Sequence, residues 1–132
     1  MMREIVVDSG HKVELLDVTQ RVQAAVRETG VTQGVCQLFV PHTTAGLAVN
    51  EAADPDVSLD LVTSLERMVP GFGPYRHREG NSPAHLKAVL VGPSLGLLVE
   101  GGTVLLGTWQ GIFLCEFDGP RRRKIWVKVL KE

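Results

Sequence analysis

Residues 94–130 read SLGLLVEGGTVLLGTWQGIFLCEFDGPRRRKIWVKVL, and this stretch decides the fold. Its apolar runs have the length of strands and are separated by turn-forming residues, clearest in the Gly101-Gly102 pair and the Asp-Gly-Pro triplet at 118–120. No helical pattern lies between one run and the next. The stretch therefore predicts consecutive hairpins in an antiparallel sheet or sandwich, because a parallel sheet would need longer crossovers between its strands.

Further strands are predicted in the first half of the chain. Residues 3–8 and 11–17 lie on either side of a Ser-Gly turn, so they predict an opening hairpin. Residues 34–40 alternate in the manner of a strand buried mostly on one side. A shorter strand is expected at residues 47–50.

Three short helices are predicted between these strands. The first is expected to follow Asp17, which fits a capping box, and to end at Gly30. The second should begin after Asp54, which precedes a first-turn proline, and the third should have Ser82 as its cap and end near Gly92. Helices added to an antiparallel sheet make an α+β fold.

Length and composition limit the class of protein. The 132 residues suit one domain over residues 1–132, and a hydrophobic fraction of 44% suits a globular chain. A formal net charge of -1 gives no field for nucleic acid or an anionic membrane, and no apolar run approaches the ~20 residues of a membrane span. The N-terminus lacks the apolar core of a signal peptide. We therefore expect a cytoplasmic protein without nucleic-acid or membrane partners.

The two cysteines carry little chemistry in this pattern. Cys36 and Cys115 both fall within apolar, strand-like runs, where a free thiol usually behaves as a small hydrophobic side chain. With no third or fourth cysteine, a zinc site built on thiolates is excluded.

The first cluster of candidate site residues is PHTTAGLAVNEAADPD at 41–56. A strand ending at His42 and a short return strand leading to Asn50 and Glu51 would bring polar groups together at one end of a sheet. We favour a functional site for these three residues, since polar residues beside strand ends are where function concentrates. For Asp54 alone, a role as helix cap is the better interpretation.

The second cluster is YRHREGNSPAHLK at 75–87, which contains His77, Asn81 and His85. A histidine in the first turn of a helix stays neutral, and a neutral imidazole can serve as a metal ligand or a general base. The alternative is that His77 lies in solvent and His85 packs locally. No HExxH motif is present, and the spacing from His77 to His85 does not put both on one helix face, so a site with three histidines requires the fold to bring His42, His77 and His85 together.

Three other features stay open at this point. In GTWQG at 107–111, Trp109 is most simply a core residue, with Gln110 turned toward a polar group. Glu116, in an apolar strand, either faces water or pairs with a histidine. The basic run RRRK at 121–124 is by default a solvated hairpin, and the alternative is that it docks a phosphate or an acidic neighbouring subunit.

The motifs H-T-T-x-G…N-E-x-x-D-P, Y-x-H…N-x-x-A-H-x-K and G-T-W-Q together resemble the YjbQ-like family, also called secondary thiamine-phosphate synthases. The resemblance covers nearly the whole chain. It implies an antiparallel, jelly-roll-like β-sandwich with two or three short outer helices, assembled as a homotrimer. Many relatives have a further histidine where this chain has Pro83, which leaves three imidazoles here instead of four.

The resemblance also implies an activity, which joins an aminopyrimidine diphosphate to a thiazole phosphate with release of pyrophosphate. The cofactor it implies is a divalent metal ion, Mg²⁺ or Zn²⁺. The predicted roles are catalysis for His42, His85 and Glu51; contacts to the phosphorylated substrate for Asn50, Asn81, Ser82, Lys87 and Gln110; and metal ligation for His42, His77, His85, Asp54 and Asp60.

Two other functions use the same residues. A metal-dependent hydrolase would act on a small substrate through a metal-bound water. A non-catalytic trimer that binds a small anionic metabolite would need the pocket but no group for proton transfer. Thiamine phosphate formation distinguishes the transferase from both.

Overall fold

A computed structural model describes residues 2–132, which form eight strands and three helices. Among these residues, no helix is both long and apolar enough to cross a membrane. The elements along the chain are β1 (Met2–Asp8), β2 (Glu14–Asp17), α1 (Thr19–Thr29), β3 (Gln33–Phe39), β4 (Ala45–Glu51), α2 (Pro55–Met68), α3 (Ser82–Val91), β5 (Ser94–Glu100), β6 (Thr103–Val104), β7 (Gln110–Glu116) and β8 (Arg122–Lys131).

The strands form two antiparallel sheets. The larger sheet has the order β1-β8-β3-β5-β6 and the smaller has the order β2-β7-β4. The predicted α+β fold with antiparallel sheets is confirmed. The buried side chains of the main core come from both sheets and from α1, and include Val22, Val26, Cys36, Leu38, Leu47, Ile112, Leu114 and Ile125.

The predicted opening hairpin is wrong. β1 pairs with β8, β2 pairs with β7, and the two opening strands therefore lie in different sheets. The turn between them is held by Glu14, whose carboxylate accepts hydrogen bonds from the backbone N–H groups of Gly10 and His11. That local arrangement leads the chain from one sheet to the other instead of back along β1.

Only part of the predicted run of hairpins in the second half exists. β5 and β6 form a hairpin around Gly101 and Gly102, both with positive φ, which glycine adopts without strain. β7 and β8 do not pair, because the Asp-Gly-Pro triplet at 118–120 carries the chain from the smaller sheet to the larger. Trp109 precedes β7 and is 65% exposed, so its assignment to the core was wrong.

The helices begin and end close to the predicted positions. Gly30, in the left-handed conformation, ends α1, and the Asp54 side chain caps α2 by accepting a hydrogen bond from the N–H of Asp56. Ser82 was predicted as the cap of α3, but the cap is Asn81 and Ser82 is the first helical residue. The carbonyl of Asn81, not a side chain, accepts the first N–H groups of this helix.

The second helix is loosely attached to the rest of the molecule. None of its residues is buried, whereas α1 buries Val22 and Val26 completely. Leu59 and Met68 on α2 are 63% and 68% exposed. Leu59 and Met68, nine residues apart, lie on opposite sides of the helix at 3.6 residues per turn.

Candidate functional site

A cavity of about 740 Å³ opens at the end of the molecule where β3 stops and β4 begins. Its walls come from the segment between these strands, from the loop before α3, from α3 and from the start of β8. We call it the histidine–arginine cavity, after its main polar lining residues, which are His42, His77, Asn81, His85, Arg121 and Arg123.

The fold brings three histidines from separate segments to this one cavity. His42 follows β3, His77 lies in the loop before α3, and His85 lies in the first turn of α3. The rings of His77 and His85 pack edge to face with centroids 5.4 Å apart. Sequence spacing alone could not place His42 beside this pair.

His42 is held in one tautomer by the backbone. Its Nε2 accepts a hydrogen bond of 2.9 Å from the N–H of Lys124, just past the point where β3 stops pairing with β8. Burial and, secondarily, the Arg123 guanidinium hold the pKa of His42 below its usual value. A neutral ring that accepts at Nε2 carries its proton on Nδ1, so His42 acts as a hydrogen-bond donor through Nδ1.

Behind the histidines lies a buried ion pair between β7 and β8. Arg123 is 3% exposed and Glu116 is fully buried. Arg123 Nε donates to Glu116 Oε1 at 2.9 Å, and Arg123 Nη2 donates to Glu116 Oε2 and to Thr44 Oγ1 at 2.5 and 2.8 Å. Part of the basic run is therefore buried in the cavity wall, which corrects the solvated hairpin expected from the sequence.

Glu116 remains ionised in this buried position. Burial raises the pKa of Glu116, but hydrogen bonds from Arg123, from Ser9 and from the N–H of Asp118 outweigh burial and hold that pKa below its usual range. Glu116 thus neither faces water nor pairs with a histidine, which were the two expectations for it.

The second arginine of the cavity is also paired. Arg121 donates to the side chain and to the carbonyl of Asp118, at 3.0 and 2.7 Å. Asp118 also accepts a hydrogen bond of 3.0 Å from Asn81 Nδ2. Since each arginine has a carboxylate partner, the cavity is rich in hydrogen-bond donors without carrying a large net charge.

Asn50, Glu51 and Gln110 do not reach this cavity. Glu51 pairs with Gln110 across β4 and β7, at the end of β4 opposite to His42. The strand between the two ends spans roughly 20 Å at about 3.4 Å per residue. The expectation that His42, Asn50 and Glu51 meet at one end of a sheet is therefore wrong, because β4 runs away from His42 and has Asn50 and Glu51 at its other end.

The side chains at this far end of β4 make local hydrogen bonds. The side chain of Asn50 accepts a hydrogen bond from the N–H of Glu51, and the side chain of Glu51 accepts one from the N–H of Ala53. The side chain of Gln110 accepts one from the N–H of Gly107. These three bonds are 2.7 to 2.9 Å long. Asp54 caps α2. Asp60 is an exposed residue of the same helix, and like the others it does not line the histidine–arginine cavity.

Two more predicted contact residues lie beside the cavity and not in its wall. Lys87 is 3% exposed, pairs with Glu66 at 2.5 Å and lines a neighbouring cavity of about 420 Å³. Ser82 lines an open cleft that it shares with His77 and His85. Of the predicted substrate contacts, Asn81 is the one that lines the histidine–arginine cavity.

The predicted metal ligands are not assembled within one chain. Nowhere in residues 2–132 do three His, Cys, Asp or Glu side chains lie close enough together to hold a metal ion. His42 Nε2 is already engaged by the Lys124 N–H. The residues of a single chain therefore do not fit a resident Mg²⁺ or Zn²⁺ ion in this cavity.

Fold and cavity define the chain as an α+β protein of two antiparallel sheets with a polar cavity at one end. The family model "UPF0047 protein YjbQ-like" matches residues 3–132. The chain is 43% identical over 131 residues to the UPF0047 protein YugU of Bacillus subtilis, covering 98% of this chain and 99% of that protein. A UPF0047 protein of Methanocaldococcus jannaschii is 44% identical over 130 residues, covering 98% and 94%. The chain belongs to the UPF0047 family of YjbQ-like proteins.

Solved structures agree in fold over the whole chain. A YjbQ/UPF0047 family protein from Clostridium acetobutylicum superposes with a TM-score of 0.95 at 47% identity, covering 97% of this chain and 99% of that one. A conserved protein from Thermus thermophilus gives 0.91 at 46% identity with the same coverage. The family and the fold are thereby shown.

Proposed function

We propose that the histidine–arginine cavity binds a small phosphorylated metabolite. The observation that carries this proposal is the convergence of three histidines and two arginines on one cavity, where Glu79 is the lone carboxylate among the lining residues. Guanidinium and imidazole N–H groups are the donors that phosphate oxygens accept best. Each arginine has its own carboxylate partner, so binding depends on aimed donors more than on net charge.

For the reaction, we propose the transfer implied by the YjbQ-like resemblance, as a main or a secondary activity. The C–O bond between an aminopyrimidine and its diphosphate breaks, a C–N bond forms to a thiazole phosphate, and pyrophosphate leaves. His42 would donate through Nδ1 to the leaving group, and His85 would bind a second phosphate oxygen. Donors aimed at a leaving pyrophosphate stabilise the charge that develops on it.

The test is an assay of thiamine phosphate formation by the full chain, with and without Mg²⁺ accompanying the diphosphate. We expect turnover, and we expect His85→Ala to lower it at least ~10-fold, the loss of one hydrogen bond to a charged group. Asp60→Ala is the matched control, since Asp60 is exposed on α2 outside the cavity. Equal turnover in wild type and His85→Ala would remove His85 from the reaction.

A non-catalytic binder of the same metabolites is the second candidate. It is favoured by the arrangement of His42, whose ring is fixed as a donor and is not available as a base at Nε2. This candidate predicts that pyrophosphate binds and that no thiamine phosphate forms. The metal-dependent hydrolase would need ligands beyond one chain, because the described residues place no three together.

We also propose that the protein is a homotrimer, as the resemblance implies. The support is a set of exposed apolar side chains on the two later helices, Leu59 and Met68 on α2 and Val89 and Leu90 on α3, which are all at least 60% exposed. Light scattering coupled to gel filtration should give three times the 14.4 kDa of one chain. A monomer at micromolar concentration would contradict the trimer without affecting the proposed ligand.

A further inference from the structure

We propose that Arg123 donates directly to the anionic group of the ligand and that Glu116 and Ser9 are positioning residues that aim its guanidinium. The role assigned to Arg123 rests on the phosphorylated ligand proposed above. None of these three residues belongs to the sequence motifs that carry the family resemblance, and their side chains form one connected hydrogen-bond network beside the cavity.

The guanidinium of Arg123 has one nitrogen to spare. Nε and Nη2 are used by Glu116 and Thr44. Nη1 has no hydrogen-bond partner among residues 2–132, yet the side chain is 4% exposed and lines the cavity. A buried cation with a free N–H₂ group at a cavity wall is suited to donate to an oxyanion.

Glu116 is itself held from several sides. Its Oε1 accepts a hydrogen bond of 2.6 Å from Ser9 Oγ and another from Arg123. Its Oε2 accepts a hydrogen bond of 3.1 Å from the N–H of Asp118. Ser9 Oγ in turn accepts a hydrogen bond of 2.8 Å from the N–H of Arg121. One serine hydroxyl therefore connects the carboxylate of the ion pair to the backbone at the other arginine of the cavity.

The network joins both sheets at the cavity. Ser9 follows β1 and Arg123 lies in β8 of the larger sheet, whereas Glu116 ends β7 and Thr44 precedes β4 of the smaller. The guanidinium of Arg123 reaches from the larger sheet to Glu116 and Thr44 on the smaller one, and it cannot turn without breaking these bonds. Such pre-organisation is what a binding site needs in order to hold an anion at a fixed place.

Stability alone does not account for this ion pair. Burying two charges costs desolvation energy that their attraction only partly returns, and apolar residues of equal volume often stabilise a fold as well or better. The pair lies against the cavity and not in the apolar centre of the sandwich. Binding of an anionic ligand at the cavity accounts for the buried charges.

The test is calorimetric titration of the full chain with inorganic pyrophosphate at constant ionic strength. We expect Arg123→Lys to raise the Kd at least ~10-fold, because an ammonium cannot reproduce the guanidinium fork. Arg122→Lys is the matched control, on the same strand but with a side chain 72% exposed and paired with Asp8. Its Kd should equal that of the wild type.

Ser9→Ala tests the positioning role, because Ser9 is absent from the cavity lining and can act there only through its partners. We expect a rise in Kd of roughly 3-fold, the loss of about one ordinary hydrogen bond, while Ser9→Thr, which keeps the hydroxyl, restores binding. If Arg123→Lys does not fold, Ser9→Ala decides. A lower melting temperature with an unchanged Kd would reduce the network to a structural role and overturn the inference.

The outcomes separate this inference from the proposed function. If the wild type does not bind pyrophosphate, both are wrong. If the wild type binds pyrophosphate and His85→Ala weakens binding, the proposed phosphorylated ligand is supported. If Arg123→Lys and Ser9→Ala then leave the Kd unchanged, the role assigned to Arg123 is contradicted.

Discussion

Both ends of β4 carry polar residues, and the two ends differ in how the hydrogen bonds of those residues are satisfied. At the far end, Glu51, Asp54 and Gln110 bond to backbone N–H groups within three residues of themselves. At the cavity end, His42 bonds to Lys124 and Arg123 bonds to Thr44, partners that are 82 and 79 residues away. Local bonds shape turns and caps, whereas distant ones fix side chains around a cavity.

The two ends also differ in what they leave free. At the cavity end, Asn81 Oδ1 is buried without a partner among the described residues. A buried polar atom without a partner is costly unless water or a ligand satisfies it. The far end leaves no such atom among the described residues. Unsatisfied groups beside a cavity are therefore the better indicator of a binding site.

The largest expected difference between the two ends is in stability. Glu116→Ala leaves the Arg123 cation buried without its partner and should lower the free energy of unfolding by about 3–5 kcal/mol. Glu51→Ala removes one exposed local bond and should cost less than about 1 kcal/mol. Urea denaturation of both variants measures this. Equal losses would mean that the buried network is no more important to the fold than a surface turn.

The next largest difference is in ligand affinity. His85→Ala should raise the Kd for inorganic pyrophosphate roughly 10-fold or more, the usual effect of losing a hydrogen bond to a charged group. Gln110→Ala, at the far end, should leave the Kd unchanged. Calorimetry on both variants checks the pair of values. A matching rise in Gln110→Ala would place the ligand across both ends of β4.

A smaller effect is expected from the cap of α2. Asp54→Ala removes the acceptor for the Asp56 N–H and should cost about 1 kcal/mol of stability. The affinity for pyrophosphate should not change, because Asp54 does not line the cavity. Thermal unfolding with and without pyrophosphate measures both quantities. Weaker pyrophosphate binding by this variant would show that Asp54 belongs to the binding site, as the sequence motif suggests.

The smallest effect is a pH dependence at His42. Because its folded pKa lies below its usual value, the folded state binds fewer protons than the unfolded state. The contribution of His42 to the free energy of unfolding is then fully present above its unfolded pKa of about 6.5. This contribution declines as the pH falls toward the folded pKa. His42→Gln keeps an acceptor for the Lys124 N–H and cannot titrate.

Urea denaturation between about pH 5 and pH 8 should therefore show a shallower acid slope for His42→Gln than for the wild type. His11→Gln is the control, since His11 lies at the surface with a side chain 79% exposed. Identical slopes for His42→Gln and the wild type would mean that His42 titrates normally.

Sequence predicted the elements well where their signals are local. Gly30 ends α1, Asp54 caps α2, and the Gly101-Gly102 pair turns the β5–β6 hairpin, each through the conformation or hydrogen bond that its residue type favours. The pairing of β1 with β8 could not be predicted in this way. It joins residues more than a hundred positions apart, and no turn signal specifies it.

The site was predicted in part for the same reason. His77 and His85 share one motif and were both named as candidates, but their spacing does not put them on one helix face, so their proximity depends on the path of the loop before α3. Glu116 and the basic run that contains Arg123 were both singled out, but their pairing with each other was not predicted, because the run was assigned by default to a solvated hairpin. The signal that could have been used is the alternation of buried and exposed residues along β8, where Arg123, Ile125 and Val127 are all buried on one face. An inward-facing arginine opposite an acid in an apolar strand predicts a buried pair.

The central claim is that the histidine–arginine cavity holds an anionic phosphate group, and the chain contains its own control. Of its four histidines, His42, His77 and His85 line the cavity, and His11 does not. NMR spectra of the ring carbon–proton signals, recorded during titration with inorganic pyrophosphate at constant pH and ionic strength, would report on all four. We predict that the three cavity histidines shift along one saturable curve while His11 stays in place. No saturable shift, or equal shifts at all four rings, would contradict the assignment of the cavity.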